Sequence, residues 1–384
     1  MRTAKFLSIL LIVAMLLPLA SCKQGGGTIK IGVIAPMTGD AKTFGESTKE
    51  GVEMAIAEWN AKGGINGKTL QMVLADDKGD AAEASAAATK LIKQDGVKFI
   101  VGSVMSSCSI PISQIANDNK IVQISPTSTN PKVTVADGKR KEYVFRACFI
   151  DPPQGSAMAN FALNNLKIKS AAVFYDNGND YVKGLAEFFK AAFEKGGGKV
   201  TVYEAYGKDD TDFSALITKV LAANPEMLYL PDYYNKVSLM AKQARDKGFK
   251  GVLAGGDGWD SSDLDVKVTE GGYFTNHYSP GDTRPVVQNW VKAYSAKYKT
   301  ADGKPKTPDA LATLAYDAAN LLFNAIKTAG TEDTAKVKDA LQNTKGFAAI
   351  SGDITFDKNG DPIKDVTILQ IKDGKQKYVT VVKP

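Results

Sequence analysis

Short apolar runs, each closed by a turn of small polar residues and followed by a helix-length segment, recur along this chain, and no other feature restricts its fold as much. The runs 29–36, 70–75, 97–102 and 121–124 read as strands. Between them, Val52, Ala55, Ile56 and Trp59 fall at i, i+3, i+4 and i+7 on a helix that stops at Gly63 and Gly64. An Ala-rich helix covers 81–94 and a third opens at Ser106, while 37–47, with Gly39 and Gly45, reads as a loop. After Tyr143 to Arg146 the pattern starts again, with helices over 154–166, 181–194, 212–223 and 236–247 and strands over 171–175, 199–205, 227–231 and 252–255. Strands alternating with helices imply βαβ units and parallel sheets covered on both faces, an α/β fold. Region 282–328 reads as mostly helical with a break at Pro305 and Pro308, and the tail from Asp353 as strand-like, turning at 358–360 and 373–374.

The two halves share this architecture without a residue-level repeat, and 384 residues exceed what one core usually organises, so two domains are expected. The first residues stand apart from the fold. Arg2 and Lys5 precede an apolar core over 6–19, and Leu19-Ala20-Ser21-Cys22 supplies a small-residue cleavage site, the pattern of a secretory signal peptide over 1–21. A transmembrane anchor needs about 20 apolar residues, and this core is shorter. The same four residues resemble the lipobox of bacterial lipoproteins, which makes Cys22 the lipidation site and 22–28 a flexible tether.

Charge excludes one class of partner. Without Arg2 and Lys5, 46 basic residues face 42 acidic ones, a net +4 with no basic run longer than three residues and no aromatic interleaving, which argues against nucleic acid. Beyond Cys22 only Cys108 and Cys148 remain; in an oxidising compartment they either pair or stay free, and spacing does not decide which.

In open α/β sheets, ligands bind beyond the carboxyl ends of strands. The loops 37–45, 103–109, 125–131, 176–181, 231–235 and 255–259 therefore hold the candidate site. Ser106 and Ser107 at a helix start, and Thr127, Ser128 and Thr129 after the next strand, offer hydroxyls and unpaired N–H groups to a carboxylate. Read blandly, the same residues cap helices and build turns. Asp257, set among Gly255, Gly256 and Gly258, with Tyr181, Tyr233 and Tyr234, matches an ammonium group, or else a turn aspartate with core aromatics.

Several catalytic and metal signatures fail. The segment 63–69 imitates the end of a phosphate-binding loop, but Lys62 stands where the first glycine belongs and the order is helix then strand. Residues 357–360 imitate a calcium loop without its first and last ligands, Thr355 and Val366 standing there instead. The single histidine, His277, excludes a histidine-rich metal site and lies at a strand end, where it is structural or lines a cleft. A hydrolase pairing His277 with Ser106 or Cys108 is the alternative from another functional class, and no G-x-S-x-G elbow accompanies it.

At these loops the chain resembles the periplasmic branched-chain amino-acid-binding proteins, the type I substrate-binding components of ABC importers. The matching segments are IGVIAPMTG from Ile31, AKGGING from Ala61, GSVMSSCSIP from Gly102, ISPTSTNP from Ile124, Phe145-Arg146, DFSALI from Asp212 and Gly256-Asp257-Gly258, collinear over nearly all of the chain beyond the leader. The resemblance implies two Rossmann-like, doubly wound lobes joined by three hinge crossovers, 29–148 with 278–366 and 149–277 with 367–384. It implies that Ser106, Thr127 and Thr129, with Ser128 beside them, hold a ligand carboxylate, that Tyr181, Tyr233 and Asp257 surround the ammonium, and that Phe44 covers the ligand side chain. Asp257 departs from the glutamate common in the family, which bears on the ligand's identity more than on its class. A cysteine pairing known in relatives has no counterpart near Lys78 and Gly79.

The expectation is a monomeric, lipid-anchored extracytoplasmic receptor. It binds leucine, isoleucine or valine, needs no cofactor and delivers its ligand to a permease driven by a partner ATPase. The alternative within the same fold is an aromatic amino acid or an amide as ligand.

Overall fold

The computed structural model describes residues 26–383; the signal-peptide and Cys22 assignments lie outside the described residues. The first sheet contains β1 (Thr28–Ala35), β2 (Thr69–Asp76), β3 (Phe99–Gly102) and β4 (Val122–Ser125). A short hairpin, β5 (Val135–Ala136) with β6 (Lys139–Arg140), then leads to β7 (Val144–Arg146). The order β2-β1-β3-β4-β7 is parallel throughout. Every residue of β3, β4 and β7 is buried, as expected of parallel strands covered on both faces.

The helices follow from periodicity and capping. On one face α1 (Lys42–Ala61) packs with α9 (Ala310–Ala329) and α10 (Thr334–Gln342), burying Ile31, Val33, Phe99, Leu314 and Leu322; on the other, α2 (Ala81–Lys93) and α3 (Ser106–Asp118) bury Ile34, Leu91, Ile100 and Ile112. Asp80 starts α2 by accepting from the N–H groups of Ala82 and Glu83.

The second sheet is larger. Its members are β8 (Ser170–Asp176), β9 (Lys199–Tyr206), β10 (Met227–Tyr229), β11 (Val252–Gly255), β12 (Tyr273–Asn276), β13 (Val366–Lys372) and β14 (Lys375–Val382). The order is β14-β13-β12-β11-β10-β8-β9; β13 alone runs against the others, so its pairings with β12 and β14 are antiparallel and the rest are parallel. Helices α4 (Asp151–Asn164) and α5 (Asp180–Lys195) cover one face, and α6 (Ser214–Ala223) and α7 (Tyr234–Asp246) the other. Helix α8 (Pro285–Lys297) packs against α1 and α9, so the chain passes between the two sheets three times, at 147–150, 277–284 and 363–365.

Two expectations change, and α10 is additional. The 37–47 loop is helical from Lys42, α10 carries no strong sequence signal, and the tail forms regular strands only from Val366. A Cys108–Cys148 disulfide, one of the two options left open, is not formed: both are free and buried. Cys108 faces the α2–α3 side of the first sheet whereas Cys148 belongs to the α1–α9 side. The two thiols thus belong to cores on opposite faces of the sheet.

Candidate ligand-binding site

Each sheet has one point where consecutive strands diverge to opposite sides. In the first it lies between β1 and β3, in the second between β8 and β10. The loops leaving those four strands carry Phe44, Ser106, Tyr181 and Tyr233, and these residues line one cavity together with Val104, Thr127, Thr129, Asp257, Gly258 and Leu311. Doubly wound sheets place ligands at such divergence points.

The first wall has the chemistry to seat an anion. Helix α3 begins at Ser106 with Met105 as its N-cap and no side-chain capping bond. Its first N–H groups have no intrahelical acceptor, and the helix dipole favours negative charge there. Ser106 Oγ accepts from the Asn130 N–H at 3.2 Å, which leaves its own proton free to donate. Thr127 Oγ1 donates to the Val104 carbonyl at 3.0 Å. Thr129 Oγ1 is buried with no hydrogen-bond partner, and such an orphan calls for an explanation. Arg146, fully buried, holds this loop from behind: it pairs with Asp361 at 2.6 Å and donates to the Ser128 and Asn130 carbonyls.

The second wall has the chemistry to seat a cation. Asp257 Oδ1 accepts from Gln154 Nε2 at 2.6 Å and from the Tyr181 hydroxyl at 2.9 Å, and Oδ2 lies 3.1 Å from His277 Nε2. The Tyr181 hydroxyl in turn accepts from the Gly258 N–H at 3.1 Å. A Cβ on Gly256 would overlap that hydroxyl, so the glycine is what lets Tyr181 reach Asp257. Asn179 caps α5 by accepting from the N–H groups of Tyr181 and Val182, which fixes Tyr181 in the first turn. Burial, then the Asp257 charge, pushes the Tyr181 phenol well up, so it stays a neutral donor. Tyr181 stacks on Tyr233 with centroids 5.1 Å apart, and Tyr233 meets Phe44 edge-on at 5.8 Å.

Phe44, Val104 and Leu311 supply the apolar end. The void these walls leave is about 20 Å³ for the centre of a water-sized sphere, about one water. Anything larger therefore enters only when the walls part. A roomier cavity, about 610 Å³, is built by the crossover segments around His277, Arg284, Ser351 and Lys364; acidic and basic side chains are mixed in its lining, with no convergent seat for either charge.

Of the residues singled out in the sequence, Phe44, Ser106, Thr127, Thr129, Tyr181, Tyr233 and Asp257 come together here. Ser128 is not in the lining: its hydroxyl is directed at Ser109 Oγ (2.6 Å) and the Val104 carbonyl (2.9 Å), behind the wall. Tyr234 lies one step away, packed edge-on against Phe44 at 5.1 Å. His277 is hydrogen-bonded to neither Ser106 nor Cys108, and burial pushes the Cys108 thiol well up, away from the reactive thiolate. Sequence reading missed Gln154, Val104 and Leu311. Val104 lay inside the Ser103–Pro111 stretch, but Leu311 is one apolar residue among many on α9 and gave no separate signal.

Comparison with known proteins places this architecture. The family model described as periplasmic binding protein matches residues 28–376. A Leu/Ile/Val-binding protein homolog of Brucella melitensis is 35% identical over 337 residues, 87% of this chain and 88% of that one. The crystal structure of the leucine-binding protein LivK from Thermotoga maritima superposes with a TM-score of 0.86 at 38% identity, covering 93% of this chain and 99% of that chain. LivJ from Streptococcus pneumoniae, in complex with isoleucine, gives 0.85 at 30% identity over 93% and 100% of the two chains. The fold is the type I periplasmic binding protein fold. The chain belongs to the periplasmic binding protein family.

Proposed function

We propose that this chain is the extracytoplasmic receptor of an ABC importer for leucine, isoleucine or valine, held to the membrane through a lipid on Cys22. The observation that carries the ligand class is the pairing, across one cavity, of an uncapped buried helix start with a buried aspartate. A free amino acid carries the two matching charges. Ser106, Thr127 and Thr129 would take the carboxylate, and Asp257 with Tyr181 and Tyr233 the ammonium. Phe44, Val104 and Leu311 leave a small apolar end that suits a short branched side chain better than an aromatic ring. The relatives' names point the same way.

The lobes, 29–148 with 278–366 and 149–277 with 367–384, would close on the ligand by twisting the three crossovers. The ligand would leave unchanged: among the described residues the single imidazole is hydrogen-bonded to Asp257, not to a hydroxyl or thiol. Energy for transport would come from a partner ATPase, because the chain has no phosphate-binding loop. The protein would act as a monomer beside its permease.

Calorimetry tests the ligand class. Leucine, isoleucine and valine are expected to bind, 4-methylpentanoate, which lacks the ammonium, is not, and Asp257→Ala is expected to abolish leucine binding while circular dichroism stays native. Unchanged leucine affinity in Asp257→Ala would remove Asp257 from the site.

A further inference from the structure

All three crossovers between the sheets meet near one side chain. Phe149, on the first, stacks on His277, on the second, with centroids 3.8 Å apart and planes inclined by 27°. Val366, where the third crossover enters β13, packs against Phe149. Lys364 Nζ ties the third to the first by donating to the Ala147 carbonyl at 3.2 Å. The same imidazole reaches into the ligand cavity wall, its Nε2 3.1 Å from Asp257 Oδ2.

We propose that His277 is a positioning residue that couples ammonium recognition at Asp257 to the interlobe crossovers; this rests on the amino-acid reading of the site. An ionised carboxylate only accepts, so Nε2 carries the proton and Nδ1 the lone pair. Nδ1 is buried without a partner among the described residues, where Asp257 is the sole hydrogen-bond partner of the ring. Gln154, Tyr181 and His277 together occupy three of the roughly four acceptor directions of the carboxylate, and the remaining one is left for the ligand. Withdrawing the histidine would free Oδ2 to turn away, and the ring's stack on Phe149 would no longer connect the acid to the hinge.

The charge state of the ring has a consequence. Burial pushes His277 below its ordinary value, and the charged groups facing it are Asp257 and Asp260, which favour protonation, and Lys364, which opposes it. Neutral at pH 7, the ring leaves the whole charge of Asp257 to the ammonium. Protonated, it competes for that charge. By linkage, an ammonium at Asp257 must lower the imidazole's affinity for protons by the same factor by which protonation weakens ligand binding.

Because the chain has one histidine, nitrogen-15 NMR of the full chain without a histidine tag reads this ring alone. The expected result is the Nε2–H tautomer at pH 7 and a titration midpoint that falls further when leucine is added. His277→Leu should weaken leucine binding about ten- to a hundredfold, the loss expected for one charge-assisted hydrogen bond. His277→Gln, which keeps a donor at similar reach, should restore most of it and show a flatter affinity profile between pH 5 and 7. An Nδ1–H tautomer, a midpoint indifferent to leucine, or a glutamine variant with the wild-type pH profile would overturn the assignment. If the wild-type protein binds no amino acid by calorimetry, the ligand reading fails instead, and the tautomer still decides whether His277 holds Asp257.

Discussion

Asp151 stands at the first position of α4, fully buried, with neither carboxyl oxygen hydrogen-bonded. Burial pushes it up to about 8, and the nearby Thr129 hydroxyl offsets only part of that. The sign follows from proton counting. The folded chain keeps this proton up to about pH 8, whereas the unfolded chain releases it near the ordinary 3.8. Folding therefore takes up a proton between those values, and stability contributed at acidic pH is lost as pH rises, by at most about 1.4 kcal/mol per pH unit. Above about pH 8 both states are ionised and the slope ends. Asp151→Asn should remove this dependence, so its stability advantage over wild type in urea unfolding should be larger at pH 7.5 than at pH 5; an equal difference at both would show Asp151 to be ionised in the fold. Legibility in sequence divides along the same lines. Asp257 and the two hydroxyl loops stood out because they follow strands, and seven of the eight side chains that the resemblance assigns to the ligand share the cavity. Gln154 and His277 meet Asp257 only through tertiary packing, over 103 and 20 residues of sequence. Ser128 sits between two lining residues but turns its hydroxyl away, and a run of three hydroxyls does not reveal which member faces inward.

At the scale of elements, the strands and most helices were legible because short buried runs and 3.6-residue stripes differ clearly. The start of α1 was not. Gly45 looked like a loop glycine, yet it lies in the first turn of a helix that begins at Lys42. A Cβ there would overlap the Pro36 carbonyl oxygen and come within 3.0 Å of the Met37 N. The glycine serves close approach of the helix to the end of β1, and that same turn aims Phe44 at the cavity. Helix propensity alone would have Gly45→Ala stabilise by about 1 kcal/mol. The overlap is with backbone, which cannot rotate aside, and forced repacking costs about 1–3 kcal/mol, so the clash should win. Gly45→Ala is expected to lower the melting temperature and also to weaken leucine binding, because Phe44 is displaced with its helix. A variant at least as stable as wild type would mean that the turn relaxes freely. The α10 segment was missed for the opposite reason: nine residues bury only Val337 and Leu341, too few to mark a stripe.

At the scale of the molecule, the apolar contact between the two bodies is continuous with the site: Phe44, Val104 and Leu311 from the first pack in one cluster with Tyr234 and Trp259 from the second. Polar contacts cross as well: Asn130 Nδ2 donates to the Asp180 carbonyl at 2.8 Å, the Thr43 and Ser261 hydroxyls lie 3.0 Å apart, and Asp260 Oδ2 accepts from the Ala310 N–H at 2.8 Å, while two more contacts differ sharply in burial. Lys132 pairs with Asp180 at 2.9 Å, but the lysine is 67% exposed, and such pairs are worth little. The Tyr234 hydroxyl donates to the Asp40 carbonyl at 2.8 Å, and the residue is 4% exposed. Of these last two, the Tyr234 contact should contribute more. A bond made only with the lobes closed adds to the ligand's apparent affinity, because it shifts the closed population that the ligand selects. Tyr234→Phe keeps the ring against Phe44 and removes this one bond, whose net contribution is about 0.5–1.5 kcal/mol. Leucine binding should weaken about two- to tenfold, with the melting temperature of the ligand-free protein nearly unchanged and with leucine still producing compaction in small-angle scattering. Lys132→Ala should change affinity by less than twofold. If the lysine variant loses more than the tyrosine variant, the rim ion pair rather than the buried hydroxyl holds the lobes together, and the cleft closes from its exposed edge inward.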